Sequence, residues 1–203
     1  MHIPTRDICY RFIRKMAMPD HIICHSLQVC RVALSLVREL ERQGITLNWQ
    51  LVQASALLHD ITKSRSFETG ERHTDSGHEL LVNLGYPEVG DIIRQHVKLD
   101  TYSENGVLAE ANIVNYADKR VLHDRITSLN ERMEYILSRY GTTTEYRTRL
   151  RWLWDASIEQ EKKIFTSLSF SPSRIEDRMD SIDMPTQLMQ IKTAQLQIDT
   201  EQP

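Results

Sequence analysis

His59 and Asp60 are adjacent in Leu57-Leu58-His59-Asp60-Ile61-Thr62-Lys63, at the end of an apolar helical run. Side by side, an imidazole and a carboxylate offer a neutral nitrogen and an anionic oxygen, and divalent transition metals accept both donor types. The pair alone is weak evidence; its company strengthens it. His25 lies upstream, and His73, His96 and Asp118 lie downstream, each in or beside a segment that reads as helical. Donors in the order His, His-Asp, His, His, Asp can hold two metal ions. Singly, each has an ordinary reading. His25 can be a satisfied core histidine, His59-Asp60 a partly solvated helix end, and His73 an exposed first-turn residue. His96 can be a C-terminal histidine favoured by the helix dipole, and Asp118 half of an ion pair. Jointly, these readings require a separate coincidence for each residue, and a buried Asp beside a buried His is costly without a counter-charge.

Lys63 lies four residues after His59 and three after Asp60. If the helix continues by one turn, the lysine shares their face and can neutralise phosphoryl oxygens as a point charge. Arg65 and Arg72 flank the polar stretch before His73, where they can clamp a second phosphate or serve as surface charge. Lys119 and Arg120 follow Asp118 and cannot both face inward. The polar loop 98–106 is a candidate lid. No Ser or Cys nucleophile arrangement is visible.

The elements that must position these groups are helices. Gly (7) and Pro (6) are scarce, no alternating strand run appears, and helical periodicity dominates. Residues 5–15 predict a short helix capped by Thr5 or Asp7. Pro19-Asp20 opens a longer one that Gly44 ends, and Asn48 caps the next, which runs to Ile61. Residues 62–72 read as a loop. Helices follow from His73 to about Leu84, from Pro87 to His96, over 108–122, over much of 125–140, and from about 145 to 168. Beyond Phe170, Ser171-Pro172-Ser173 reads as a linker, and the Gln-rich remainder offers little packing surface. The expected architecture is all-α, a helical bundle with additional C-terminal helices. One domain is expected over 1–170, with its motif core at about 20–125, followed by a weakly ordered or docked tail over 171–203.

A chain of 203 residues with 40% hydrophobic and 26% charged residues fits a soluble domain with a real core. The net charge of -3 disfavours polymeric nucleic acid as the main partner, whereas a small phosphorylated ligand needs only a few local cations. No run approaches the roughly 20 apolar residues of a membrane span, and the N-terminal residues lack a signal-peptide stretch. The odd set of Cys9, Cys24 and Cys30 reads as reduced thiols in a cytoplasmic protein.

Order and context together resemble the HD-domain metal-dependent phosphohydrolases. The matching residues are His25 in Cys-His-Ser-Leu-Gln-Val, His59-Asp60 in Ala-Leu-Leu-His-Asp-Ile-Thr-Lys, and Asp118 in Tyr-Ala-Asp-Lys-Arg-Val. His73, followed four residues later by Gly77, and His96 match the extra pair of the six-ligand subgroup. Thr62 stands where glycine is common. The resemblance implies two divalent transition-metal ions, Fe or Mn. One is expected on His25, His59, Asp60 and Asp118, and the other on His73 and His96, with Asp60 bridging. It further implies hydrolysis of a nucleotide or related small phosphate compound. By their positions, Asp60 and Lys63 are then expected in the catalytic machinery, and Lys63, Arg65 and Arg72 on the substrate. The spacing from His96 to Asp118 is similar to that of small bacterial diadenosine tetraphosphate hydrolases. Two rivals share the ligand order, an HD-type di-iron oxygenase and a non-catalytic regulatory HD module.

Overall fold

The computed structural model describes residues 1–100 and 107–195. Helix α1 (Arg6–Lys15) starts at Thr5, whose hydroxyl accepts from the Ile8 amide, and it buries Cys9, Tyr10, Phe12 and Ile13. After Pro19, α2 (Asp20–Arg42) carries a stripe from Ile22 and Leu27 through Val29, Ala33 and Leu36 to Leu40, all buried. Asn48 caps α3 (Trp49–Leu58) through its side-chain oxygen and the Leu51 amide. From Leu51 to Leu58, Gln53 alone is not buried, because α3 is enclosed by α2 and by the later helices α6 (Pro87–Arg94) and α7 (Glu110–Lys119). Helices α5 (His73–Asn83) and α6 form the most closely packed pair. A Cβ on Gly90 would lie 3.1 Å from the His78 carbonyl oxygen, which accounts for glycine at that crossing.

Two segments differ from the sequence reading. Residues 62–72 are not all loop: α4 (Lys63–Thr69) is helical and ends at Gly70 in the left-handed region. It buries no residue, so no apolar periodicity marked it. The helix expected over 108–122 stops at Lys119, and Val121–Leu122 (β1) pairs with Arg125–Ile126 (β2) in a short antiparallel hairpin. Helix α8 (Leu129–Tyr140) therefore starts late, at Ser128, whose hydroxyl accepts from the Glu131 amide. Without Gly or Pro in the hairpin, residues 121–126 keep the composition of a helix.

Helix α9 (Thr144–Thr166) packs on α7 and α8. After it, two short 3-10 turns at Pro172–Arg174 and Glu176–Arg178 lead to α10 (Met184–Thr193), which lies on α1 and α2. Ile175 and Ile191 are buried, Ser35 donates to the Arg178 carbonyl at 2.9 Å, and Lys192 pairs with Asp20 at 2.6 Å. The described part of the segment after Phe170 thus rests on the helical body. No described helix is long and apolar enough to cross a membrane.

Candidate metal centre

His25 comes from the second turn of α2, His59 and Asp60 from the turn after α3, His73 from the first residue of α5, His96 from just beyond α6, and Asp118 from the last turn of α7. The structure brings all six together. His25 Nε2 lies 3.1 Å from Asp118 Oδ1, and His59 Nε2 lies 3.7 Å from the same oxygen and 3.3 Å from Asp60 Oδ2. On the other side of Asp60, Oδ1 lies 3.4 Å from His73 Nε2 and 3.5 Å from His96 Nε2, and those two nitrogens are 3.1 Å apart. The two carboxylate oxygens of Asp60 thus face different histidines.

Backbone carbonyls fix the orientation of three of the imidazoles. His59 Nδ1 donates to Ala56 O at 2.8 Å, His96 Nδ1 to Ile93 O at 2.6 Å, and His25 Nδ1 to His123 O at 2.8 Å. A carbonyl only accepts, so Nδ1 carries the hydrogen, and in the neutral ring Nε2 presents a lone pair to the cluster. Lone pairs aimed at carboxylate oxygens repel unless a cation lies between them. His59 Nε2 and Asp60 Oδ1 are buried without a hydrogen-bond partner, a costly state for polar atoms. Two donor groups close enough to share an ion are His25, His59, Asp118 and His59, Asp60, His96. Ligands about 2.0–2.2 Å from one ion lie roughly 3.0–3.5 Å from each other, close to the spacing seen here. The donor set fits divalent transition metals.

The electrostatics agree with a cationic centre. Burial opposes a charge on Asp60, yet Lys63 and His59 outweigh it and hold the carboxyl well below its ordinary range. Asp118 is held down likewise, against burial, by His25 and His59. Burial disfavours protonated His59, but Asp60 and Asp118 together raise its pKa, so a proton answers the field that a metal would answer. Burial and then His96 push His73 down to about 4. Burial and then His59 also lower His96. Both rings are therefore neutral near pH 7, as metal ligation requires.

Lys63 Nζ donates to Asp60 Oδ2 at 2.6 Å. Arg65 is paired with Glu71 at 2.6 Å and Arg72 with Asp75 at 3.3 Å, both exposed and outside the six-residue cluster. Lys119 and Arg120 are both buried. They point apart: Lys119 donates to the His96 and Asn115 carbonyls, and Arg120 to Thr127 O, Pro172 O and the Tyr116 hydroxyl. Residues 101–106 of the candidate lid lie outside the described residues.

Further groups support the cluster; Asn115 was not singled out from the sequence, and Thr62 and Gly77 were noted only through the resemblance. Asn115 Nδ2 donates to Gln95 O at 2.8 Å and His96 O at 3.0 Å, which ties α7 to the loop carrying His96. Thr62 Oγ1 donates to His73 O at 2.8 Å and accepts from Ser76 at 3.0 Å. A Cβ on Gly77 would lie 3.1 Å from Ile93 Cδ1 and 3.4 Å from Thr62 Oγ1, so glycine here lets α5 approach the site. His123 contributes its carbonyl, from a backbone with φ of 58° in the hairpin turn. The available signal was weak: Asn115 is an amide amid apolar neighbours three residues before Asp118.

Residues 22–121 match the family model described as HD domain. The chain is 26% identical to Ribonuclease Y of Aquifex aeolicus (strain VF5) over 186 residues, 84% of this chain and 32% of that protein. It therefore spans about a third of that relative's length. It is also 25% identical to an uncharacterized protein of Methanocaldococcus jannaschii over 142 residues, covering 64% of this chain and 83% of that protein. No solved structure matches the chain.

Proposed function

The chain belongs to the HD-domain family through residues 22–121, and on that premise we propose that it hydrolyses a phosphoester or phosphoanhydride bond in a nucleotide or related small phosphate compound. The observation that carries this reading is the two-sided environment of Asp60. Its Oδ2 lies 3.3 Å from His59 Nε2, and its Oδ1 lies 3.4 Å from His73 Nε2 and 3.5 Å from His96 Nε2.

In this reading His25, His59, Asp60 and Asp118 hold one divalent ion, and His73 and His96 hold a second, with Asp60 shared between them. Iron or manganese suits these nitrogen and oxygen donors. When bound, such a pair supplies an activated water and stabilises the attacking and leaving oxygens. The chain's own groups do the rest. Carbonyls of Ala56, Ile93 and His123 keep the imidazole lone pairs inward. Lys63 orients Asp60 and offers its remaining N–H bonds to a phosphoryl oxygen. Arg65 and Arg72 exchange their carboxylate partners for outlying phosphates of the substrate. Side-chain exposure is 31% at Lys63, 24% at His73 and 14% at Asp118, against 0% to 2% at His59, Asp60 and His96. Substrate therefore arrives over Lys63, His73 and Asp118.

The test is metal analysis of the purified chain, followed by a cleavage screen under anaerobic conditions with manganese or iron. The panel holds nucleoside phosphates, dinucleoside polyphosphates and short RNA, the last because the Aquifex aeolicus relative is by name a ribonuclease. Cleavage by the native chain and none by Asp60→Asn is the expected result. A metal-replete protein that cleaves nothing in the panel and consumes oxygen on an organic substrate overturns the reading in favour of the di-iron oxygenase.

A further inference from the structure

Helix α8 carries an arginine that the metal reading leaves unused. Arg132 is partly buried, its Nε is sealed from solvent, and its side chain makes no hydrogen bond or ion pair among the described residues. A guanidinium carries donors in a fixed fork and has no means of losing its charge. Asp118 is an anionic neighbour of Arg132 but not within ion-pair distance, and a guanidinium without a direct partner is costly, so the site suits a further anion.

The surroundings place that partner beside the cluster. One turn after Arg132, Tyr135 packs edge-on against His123, ring centroids 5.2 Å apart, and the His123 carbonyl holds His25 at 2.8 Å. The charge of Arg132 is close enough to act on Lys63, Asp118 and Lys119. Two of those neighbours are the partly exposed side chains through which the cluster opens. The other cations nearby are engaged. Lys63 is bound to Asp60 at 2.6 Å, and Lys119 donates to the carbonyls of His96 and Asn115 at 3.0 and 3.1 Å.

We propose that Arg132 is a substrate-binding residue whose guanidinium grips the phosphoryl oxygens of the group lying at the open side of the His/Asp cluster. It supplies the planar two-donor grip on phosphate that neither lysine can give. The inference rests on the phosphohydrolase reading and deepens it by naming what holds the scissile phosphate.

The experiment titrates inorganic phosphate into the manganese-loaded full chain by calorimetry, for the native protein, Arg132→Met and Arg132→Lys, with metal content and melting temperature measured on each. Turnover of a substrate found in the cleavage screen is split into kcat and KM. Loss of a charge-assisted grip predicts phosphate binding weakened about tenfold or more in Arg132→Met. Arg132→Lys is expected to restore part of it, with metal content unchanged and KM raised. Were Arg132→Met not to fold, Arg132→Lys alone decides, because it keeps the charge and loses the fork. Phosphate affinity within about twofold of native in a folded, fully metallated variant overturns the role of Arg132, and native turnover then leaves the hydrolase reading standing. A native protein that holds metal yet neither binds phosphate nor cleaves any panel substrate overturns both.

Discussion

Lys63 Nζ donates to Asp60 Oδ2 at 2.6 Å across a break between two helices, α3 ending at Leu58 and α4 beginning at Lys63. The helix does not continue through this break, yet the turn from His59 to Thr62 brings the lysine to the same carboxylate. Lys63 therefore neutralises a fully buried Asp60, and in the proposed reading it also meets phosphate.

Those duties separate under mutation. Removing one partner of a buried pair is destabilising by about 3 kcal/mol, because Asp60 remains enclosed without its cation. In the metal-free protein Lys63→Met should lower the melting temperature clearly. Added manganese should recover most of that loss, since a metal neutralises the same carboxylate. Turnover should stay low even when metal content is restored. Thermal melts with and without manganese, paired with metal analysis, check this; a variant as stable as the native apoprotein would mean that the pair contributes little.

The two oxygens of Asp60 face different histidines, which predicts unequal consequences for metal stoichiometry. Asp60→Asn removes an anionic donor from both sides and should strip most metal from the protein. His96→Ala should empty chiefly the side shared with His73 and leave about one ion per chain. Elemental analysis after dialysis against trace metal decides the matter, and full occupancy in Asp60→Asn would exclude the bridge.

Gly77 offers a subtler probe, four residues after His73. A methyl group there meets Ile93 Cδ1 at 3.1 Å and Thr62 Oγ1 at 3.4 Å. The isoleucine tip can yield, so the cost of overpacking stays near 1 kcal/mol. Thr62 is less free, because its hydroxyl donates to His73 O at 2.8 Å. Gly77→Ala should therefore weaken metal binding on the His73 side more than it lowers the melting temperature. A competitive chelator titration on both proteins reads this difference.

What the sequence made legible follows from which signals are local. The stripe of α2 from Ile22 to Leu40 and the caps Thr5 and Asn48 are periodic or adjacent features, and the helices form where they predict. The six candidate ligands were visible because donor types in that order are rare together. Their two-sided arrangement around Asp60 was suggested by resemblance, and in the structure Asp60 Oδ2 lies by His59 while Oδ1 lies by His73 and His96. The hairpin at 121–126 was hidden because Val121, Leu122 and Ile126 suit a helix as well as a strand. α4 was hidden for the opposite reason, having no buried residue. Asn115 and Thr62 act through partners distant in sequence, and no spacing rule reaches them.

The segment after Phe170 supplies the last prediction. Ile175 and Ile191 are each about 1% exposed, and burying an isoleucine contributes about 1.5–3 kcal/mol. Arg120, two residues after Asp118, donates to Pro172 O at 3.0 Å while also bound to Glu161. A chain ending at residue 170 loses both isoleucines and one partner of a buried guanidinium. It should be less stable by several kcal/mol, and the disturbance at Arg120 should reach the end of α7. Metal affinity should then fall along with the melting temperature. Denaturant unfolding and chelator competition on the shortened chain measure the two effects. Unchanged values in both would mean that residues 1–170 fold and hold their site alone, with the remainder an appendage.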